Sequence, residues 1–351
     1  MKPELEKAEK LQSVLDKSID KSKVFGTSFC IKYNEEIWRG SAGNIQNETQ
    51  YFIASTTKLF VTAVILKLRL KGILNLDDKI SKYLDDNLMR GLHVLKNVEY
   101  SADIRVCNLL AHTSGLPDYF QDKDSAGKSL EEKLKSGEDK YWTPKEAIML
   151  SKSMTPLFKP DTKGKAHYSD TNFQLLGLII ERITGRSVEE NFDEMIIRPL
   201  KLTNTYLYNQ ITDNRPVNFY YQKRELNIPK AMTSFKSDGG IVSNSSDMLV
   251  FIEAFFTGAL FPKEYIKELE VWNRIFFPMQ SGTGIHLFKL PWVFNPFGTI
   301  PDLIGHSGLS GALAYSCPEK NLYIAGTVNQ VAYPDTSFKI TIKLIQTILK
   351  K

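Results

Sequence analysis

Cysteine is scarce in this chain, with three among 351 residues, and the scarcity excludes whole classes of architecture. Cys30, Cys107 and Cys317 are odd in number, show no pairing spacing and have no close histidine partner, so neither a disulfide framework nor a structural zinc site is expected. They read as buried, reduced thiols. Long apolar runs are also missing. No segment approaches about 18 uninterrupted apolar residues, so no membrane partner is expected through a spanning helix. The start, Met1 to Lys7, lacks the apolar stretch of a secretory signal, and the chain is expected in the cytoplasm unless a leader has been removed. Neither sign of charge prevails: 45 basic residues against 40 acidic ones leave a net +5. No basic run interleaves with aromatics, so a nucleic-acid partner is not indicated. Internal repeats and low-complexity tracts are absent as well.

What remains is the composition of an ordinary globular protein, 42% hydrophobic and 24% charged, long enough for a large core and two structural units. Residues 26–33 and 37–43 alternate in a β pattern around Asn34-Glu35-Glu36, which predicts a hairpin. Before it, Leu5, Ala8, Leu11, Leu15 and Ile19 mark an amphipathic helix. Helices are predicted over residues 104–111, 144–153 and 171–183. A capping box at Ser187 to Glu190 precedes another over 192–197, closed by Pro199. A further helix spans 247–256 with Asn244 as its cap. Strand-like runs at 313–317 and 322–328 then precede a last helix over 337–349. Strands at both ends with helices between them predict an α/β fold: a discontinuous α/β part, 1–85 with 236–351, and an inserted, mainly helical part, 86–235.

The most informative motif is Ser55-Thr56-Thr57-Lys58, at the head of a segment that is apolar nearly all round as far as Leu70. A hydroxyl at a helix start, with an amine three residues later on the same face, is a layout suited to acyl transfer. The helix terminus favours developing negative charge there. Alone, the motif reads equally as an N-cap serine. Ser-x-x-Lys recurs at Ser18 and Ser125, both in solvated surroundings, and only the Ser55 copy has an apolar segment behind it. Two further polar segments sit in structured surroundings: Tyr168-Ser169-Asp170, leading into a helix, and His306-Ser307-Gly308, approaching the strand at Leu313.

These segments resemble those of the serine β-lactamase and penicillin-binding-protein superfamily, in the branch of class C β-lactamases and D-alanyl-D-alanine carboxypeptidases. The matching blocks are 52–58, 109–117, 168–177, 237–243 and 305–308, in the family's order. The resemblance implies an antiparallel sheet flanked by helices with an inserted all-helical domain, and an active site in the cleft between the two parts. It implies Ser55 as the acylated nucleophile, with Lys58 and Tyr168 as a coupled pair for proton transfer. His306-Ser307-Gly308 stands where the family carries Lys-Thr-Gly. The backbone N–H groups of Ser55 and Leu309 would form the oxyanion hole. No metal or organic cofactor is implied; the partner is a small-molecule substrate, and the oligomeric state is not legible.

Two departures from the family pattern bear on substrate. Asp170 replaces an asparagine, so an acceptor stands where an amide would both donate and accept. It favours a substrate N–H or ammonium and a protonated Lys58, shifting the role of base toward Tyr168; the alternative is a cap for the following helix. His306 replaces a lysine and carries no fixed charge at pH 7. It either orients Ser307 or bonds Tyr168, or else is a turn residue. His112 is expected to pack the turn at Ser114-Gly115, and His93, His167 and His286 to have no catalytic role. Trp38, Trp142, Trp272 and Trp292 are expected in the core or an interface, although Phe288 and Trp292 could also line the entrance. The expectation is a serine hydrolase of small esters or D-amino-acid amides. The alternatives are a penicillin-binding carboxypeptidase or β-lactamase, and a weakly active binding or sensor protein.

Overall fold

In the computed structural model, which describes residues 3–295 and 298–350, the two ends of the chain meet in one sheet. Its eight strands are β1 (Gly26–Tyr33), β2 (Glu36–Gly43), β3 (Asn273–Phe276), β4 (Met279–Ser281), β5 (His286–Phe288), β6 (Leu303–Ser307), β7 (Leu313–Cys317) and β8 (Leu322–Thr327). They lie in the order β3-β4-β5-β6-β7-β8-β1-β2, and every pair is antiparallel. The N-terminal hairpin docks on the last strand through Cys30↔Ala325 and its neighbours. Asn34 turns that hairpin with φ +55°, a left-handed conformation that asparagine tolerates.

Side-chain alternation decides what each face of the sheet packs against. Phe29, Ile31, Leu313, Tyr315 and Ile324 point into one core with helices α1 (Pro3–Asp16) and α7 (Asp335–Leu349). Cys30, Ala314 and Ala325 point to the other face. Small side chains there let α6 (Ser245–Thr257) come close, and α2 (Thr57–Leu70) lies in the same core, with Phe60 stacked on Phe251 at 3.8 Å. Helix α2 is buried along nearly its whole length because α4 (Asp170–Thr184) covers it from the other side. An all-round apolar sequence is what such a position requires.

Several elements differ from the sequence reading. Helix α1 stops at Asp16, leaving Ile19 outside it. The helix expected over 104–111 shrinks to Val106–Leu110, because Asn108 accepts the N–H of Arg105 and caps it from within. Helical structure from Val188 continues past Pro199 to Leu200 and ends at Lys201, with φ +56°. The segment 86–235 is not helical throughout: it carries the strand pairs Val94–Leu95 with Val98–Glu99 and Phe219–Tyr221 with Arg224–Leu226. It also holds helices α3 (Leu130–Ser136) and α5 (Pro229–Phe235). Among the described residues, no helix is long and apolar enough to cross a membrane.

A small second sheet positions the segment ahead of α2. Tyr51–Phe52 pairs with Ile241–Ser243, the Ile53 N–H donates to the Ile241 carbonyl at 3.0 Å, and Ile241 N–H donates to the Thr57 hydroxyl at 3.2 Å. This pairing brings the Ser237 to Ser243 block against Ser55, from far away in sequence.

Candidate active site

Ser55 sits in a single 3-10 turn, Ala54–Thr56, that feeds into α2. Ala54 carries φ +46°, a strained entry for a residue with a Cβ. Thr56 is the N-cap of α2 and no side chain caps the helix, so Ser55 is not serving as a capping serine. Its Oγ faces two other groups instead. Lys58, in the first turn of α2, reaches it with Nζ at 3.1 Å, and the Tyr168 hydroxyl donates to it at 2.8 Å.

The Lys58 side chain is 0% exposed, so its ammonium must be satisfied entirely within the protein. It is: Nζ donates to Ser55 Oγ and to the Asp238 carbonyl at 2.7 Å, and it forms an ion pair with Asp170 Oδ1 at 2.6 Å. Two acceptors and one carboxylate thus meet the ammonium. Burial is the largest single influence and pulls its pKa down, but Asp170, Tyr168 and Asp238 together outweigh it, and the net shift is upward. Lys58 therefore rests as a cation. Tyr168 is buried too, and burial raises its phenol more than Lys58 lowers it.

Beneath the pair lies a floor with more carboxyls than amines. Asp118, Asp170 and Asp238 lie around Lys58, whose ammonium interacts electrostatically with each. Burial first, and then the Asp170 charge, hold Asp118 and Asp238 well above the usual carboxylate range. Both are biased toward the protonated form. Asp238 Oδ2 accepts from Tyr119 at 2.8 Å and from Gln174 at 2.9 Å, which fixes its carboxyl. Asp170 is 5% exposed and opens α4, yet its side chain caps nothing and pairs with Lys58. The sequence reading assigned no role to Asp118 or Asp238. The only signal was a carboxylate ahead of Gly239-Gly240, inside a block already matched.

Beside Ser55 the end of β6 comes in close. A Cβ on Gly308 would stand 2.5 Å from the Ile53 carbonyl and 3.1 Å from Ser55 N, so only glycine lets these backbones meet. Leu309 follows at once and lines the cavity with Ser55. Ser307 is half-buried at the strand end. His306 is buried, and its Nδ1 lies 2.9 Å from the Ser307 carbonyl. Its ring centre is 6.5 Å from that of Tyr168, whose hydroxyl bonds Ser55, so of the alternatives for His306 the contact made is with Ser307 and not with Tyr168. Burial, then His286 and Lys58, push its pKa well down, leaving a neutral ring.

The family model named Beta-lactamase matches residues 11–346. The chain belongs to the beta-lactamase family. It is 25% identical over 356 residues to an N-acetylmuramyl-L-alanine amidase of Bacillus subtilis, covering 92% of this chain and 76% of that protein. A D-stereospecific amidohydrolase from Streptomyces superposes with a TM-score of 0.77 at 26% identity, covering 92% of this chain and 94% of that one. The D-amino acid amidase of Ochrobactrum anthropi shares the fold, with a TM-score of 0.81 at 21% identity and 98% of both chains covered. By family and fold this beta-lactamase-family protein is a serine hydrolase.

Within this beta-lactamase-family site, histidine placement is where sequence reasoning fell shortest. His112, expected only to pack a turn, stacks on Tyr168 at 4.5 Å, and its Nδ1 accepts from Ser169 N–H at 3.1 Å. His286, for which no catalytic role was expected, stacks on His306 at 3.9 Å and meets Tyr168 edge-on at 5.9 Å. No spacing in the sequence announces these contacts, because β5 and β6 bring the rings together only through the sheet register His286↔Gly305. His93 and His167 stay apart, bonded to the Phe158 carbonyl and to Asp122. Phe288 is buried against Phe338 and Trp292 is 75% exposed; neither lines the Ser55 cavity, and Trp292 is not a core residue. Cys107 is half-buried, unlike Cys30 and Cys317. Among the described residues no group of three metal-binding side chains is assembled.

Proposed function

We propose that Ser55 is acylated by a small ester or D-amino-acid amide and then released by water, with Lys58 and Tyr168 moving the protons. The observation that carries this reading is the convergence of the Lys58 amine and the Tyr168 phenol on one hydroxyl, at 3.1 and 2.8 Å. Since Lys58 has no free lone pair in the resting site, Tyr168 is the group that takes the Ser55 proton. It does so in its phenolate form, which the adjacent Lys58 cation stabilises. Ser55 Oγ attacks the carbonyl carbon, and the carbonyl oxygen takes up the negative charge against the N–H groups of Ser55 and Leu309. Tyr168 passes its proton to the leaving oxygen or nitrogen as that bond breaks. Water then attacks the acyl carbon by the same route and frees Ser55.

The cavity beside Ser55 supports an apolar acyl group. It measures about 70 Å³ and is walled by Phe120, Leu134, Phe219, Ile228, Met232 and Phe235. Its walls come from residues on either side of the proposed boundaries, with Asp238, Gly239 and Leu309 from 236–351 and the apolar set from 86–235. This supports a site between two lobes. Asp170 lines the same cavity and offers an acceptor to a substrate ammonium. The amide-hydrolysing neighbours from Streptomyces and Ochrobactrum support an amide or ester of a D-amino acid.

For the penicillin-recognising alternative, no unpaired cation is offered to a substrate carboxylate among the described residues lining the cavity: Lys135 is paired with Glu131 at 2.7 Å, and His306 nearby is neutral. Three intact proton-transfer groups weigh against a mere sensor. Intact-mass labelling with a fluorophosphonate and with benzylpenicillin, alongside nitrophenyl-ester turnover and a Ser55→Ala control, separates the three. Ester turnover without a lasting penicillin adduct is expected. A long-lived penicillin adduct, or labelling without turnover, contradicts the proposal.

A further inference from the structure

A second cavity lies behind the wall of the first. It measures about 370 Å³, within the range of small-ligand sites. Phe219, Leu226, Ile228 and Met232 line both cavities, so one hairpin and one helix, Phe219–Leu226 and α5, stand between them. The floor of the second is aromatic, with Phe52 packed against Tyr208 at 5.0 Å and against Phe219 at 5.1 Å. Its rim is rich in side-chain amides: Asn44, Asn214, Asn218, Asn227 and Asn329.

Two of the three charged groups lining it, Arg215 and Asp213, are spent on each other. Arg215 holds Asp213 through two parallel bonds of 2.9 and 2.8 Å, which leaves no free cation for a phosphate or carboxylate. Glu225 accepts from the Tyr220 hydroxyl at 3.2 Å. The wall's main chain is also taken: Tyr220 N–H donates to the Asn329 carbonyl at 3.0 Å, and Val331 N–H donates to the Tyr220 carbonyl at 2.7 Å. That edge is closed to an added peptide strand. What is left unsatisfied is neutral. Asn329 is 3% exposed; its Nδ2 donates to the Asn218 carbonyl at 2.6 Å, while its Oδ1 is buried without any partner. A buried, unpaired amide oxygen is costly in an empty site and useful where a ligand supplies a donor. The side-chain amides of Asn214 and Asn227 bond no protein group among the described residues.

We propose that this cavity is a binding site for a neutral, polyhydroxylated ligand of the saccharide class, separate from the hydrolytic pocket and sharing its wall. Amides pair donor and acceptor with hydroxyls, and the aromatic floor receives the apolar face of a sugar ring. The inference does not rest on the proposed hydrolysis.

Calorimetric titration of the full chain with cellobiose and with N,N'-diacetylchitobiose tests it, with citrate as the anionic comparator. Binding of at least one disaccharide is expected, weakened about fivefold or more in an Asn214→Ala/Asn227→Ala variant. Both residues are exposed and line only this cavity, so unchanged melting and unchanged nitrophenyl-ester turnover show that the variant is folded. Absence of binding by either sugar overturns the proposal. So does equal binding by the variant, or tighter binding of citrate than of both sugars.

Discussion

The two sides of Ser55 handle the same burial in opposite ways. Below it, Lys58 stays charged with Asp170 2.6 Å away, while burial first and then the Asp170 charge push the Asp118 and Asp238 carboxyls well above the usual carboxylate range. Beside it, the rings of His112, His286 and His306 are all neutral, pushed down first by burial, with the Lys58 charge adding to the effect. The buried Lys58 cation thus acts on both sides: it pairs with one carboxylate and helps keep three imidazoles uncharged. Chemistry depends on the floor, while the wall supplies shape and a pH-sensitive reserve of stability.

The largest expected effect breaks the floor. Lys58→Met leaves the Asp170 charge buried and unpaired, which is expected to lower stability by about 3–5 kcal/mol and abolish ester turnover. Adding Asp170→Asn to Lys58→Met should restore most of the stability and none of the activity. Urea unfolding and turnover of a nitrophenyl ester check both, and additive losses in the double variant would show that the two residues do not act as a pair. Next in size, Tyr168→Phe is expected to lower kcat/KM about 10²–10⁴-fold with little change in KM.

Proton count gives the third prediction. Lys58 and Tyr168 both have raised pKa values, so at neutral pH the resting site holds one proton more than the reactive form. kcat/KM should therefore climb from pH 7 toward pH 9. Asp170→Asn frees Lys58 to lose its proton at lower pH and should move that climb toward acid, while raising the ratio of amide to ester activity. A profile and a ratio identical to wild type would separate Asp170 from the proton path.

The smallest effect concerns the wall. His286 is buried with both ring nitrogens unpartnered, and its pKa is pulled down to about 3, mainly by burial. Between that value and the ordinary 6.5, the unfolded chain binds a proton that the folded chain does not. Its contribution to stability is therefore complete above pH 6.5 and lost as pH falls. From pH 6.5 to 5 this amounts to about 2 kcal/mol, at ~1.4 kcal/mol per unit. His286→Phe should keep ester turnover within about twofold and flatten the fall in melting temperature over that interval. An unchanged slope would take His286 out of the acid response.

Much of the frame was legible because it depends on local pattern. The hairpin around Asn34, the buried helix behind Ser55 and the Asn244 cap follow from period, composition and one side-chain bond to Asp247 N–H. The approach of Lys58 to Ser55 was legible too, since residues three apart share a helix face. Tyr168 was placed only by resemblance. Of the surroundings, Asp170 beside Lys58 and Gly308 beside Ser55 were placed by resemblance, and the rest was not legible. Asp238 meets Lys58 across 180 residues, and His286 reaches His306 through strand register. Whether a lone aspartate or histidine is buried, and beside which charge, is decided by the packing of distant segments.

The claim beneath all of this is that a phenol and an amine act on one hydroxyl. Fluorophosphonate labelling followed by peptide mass mapping, with rates measured across pH in wild type and Tyr168→Phe, tests it most directly. The account predicts a single adduct on Ser55, forming faster as pH rises and about 10²–10⁴-fold more slowly in the variant. An adduct on another residue, or an equal labelling rate without the phenol, would contradict it.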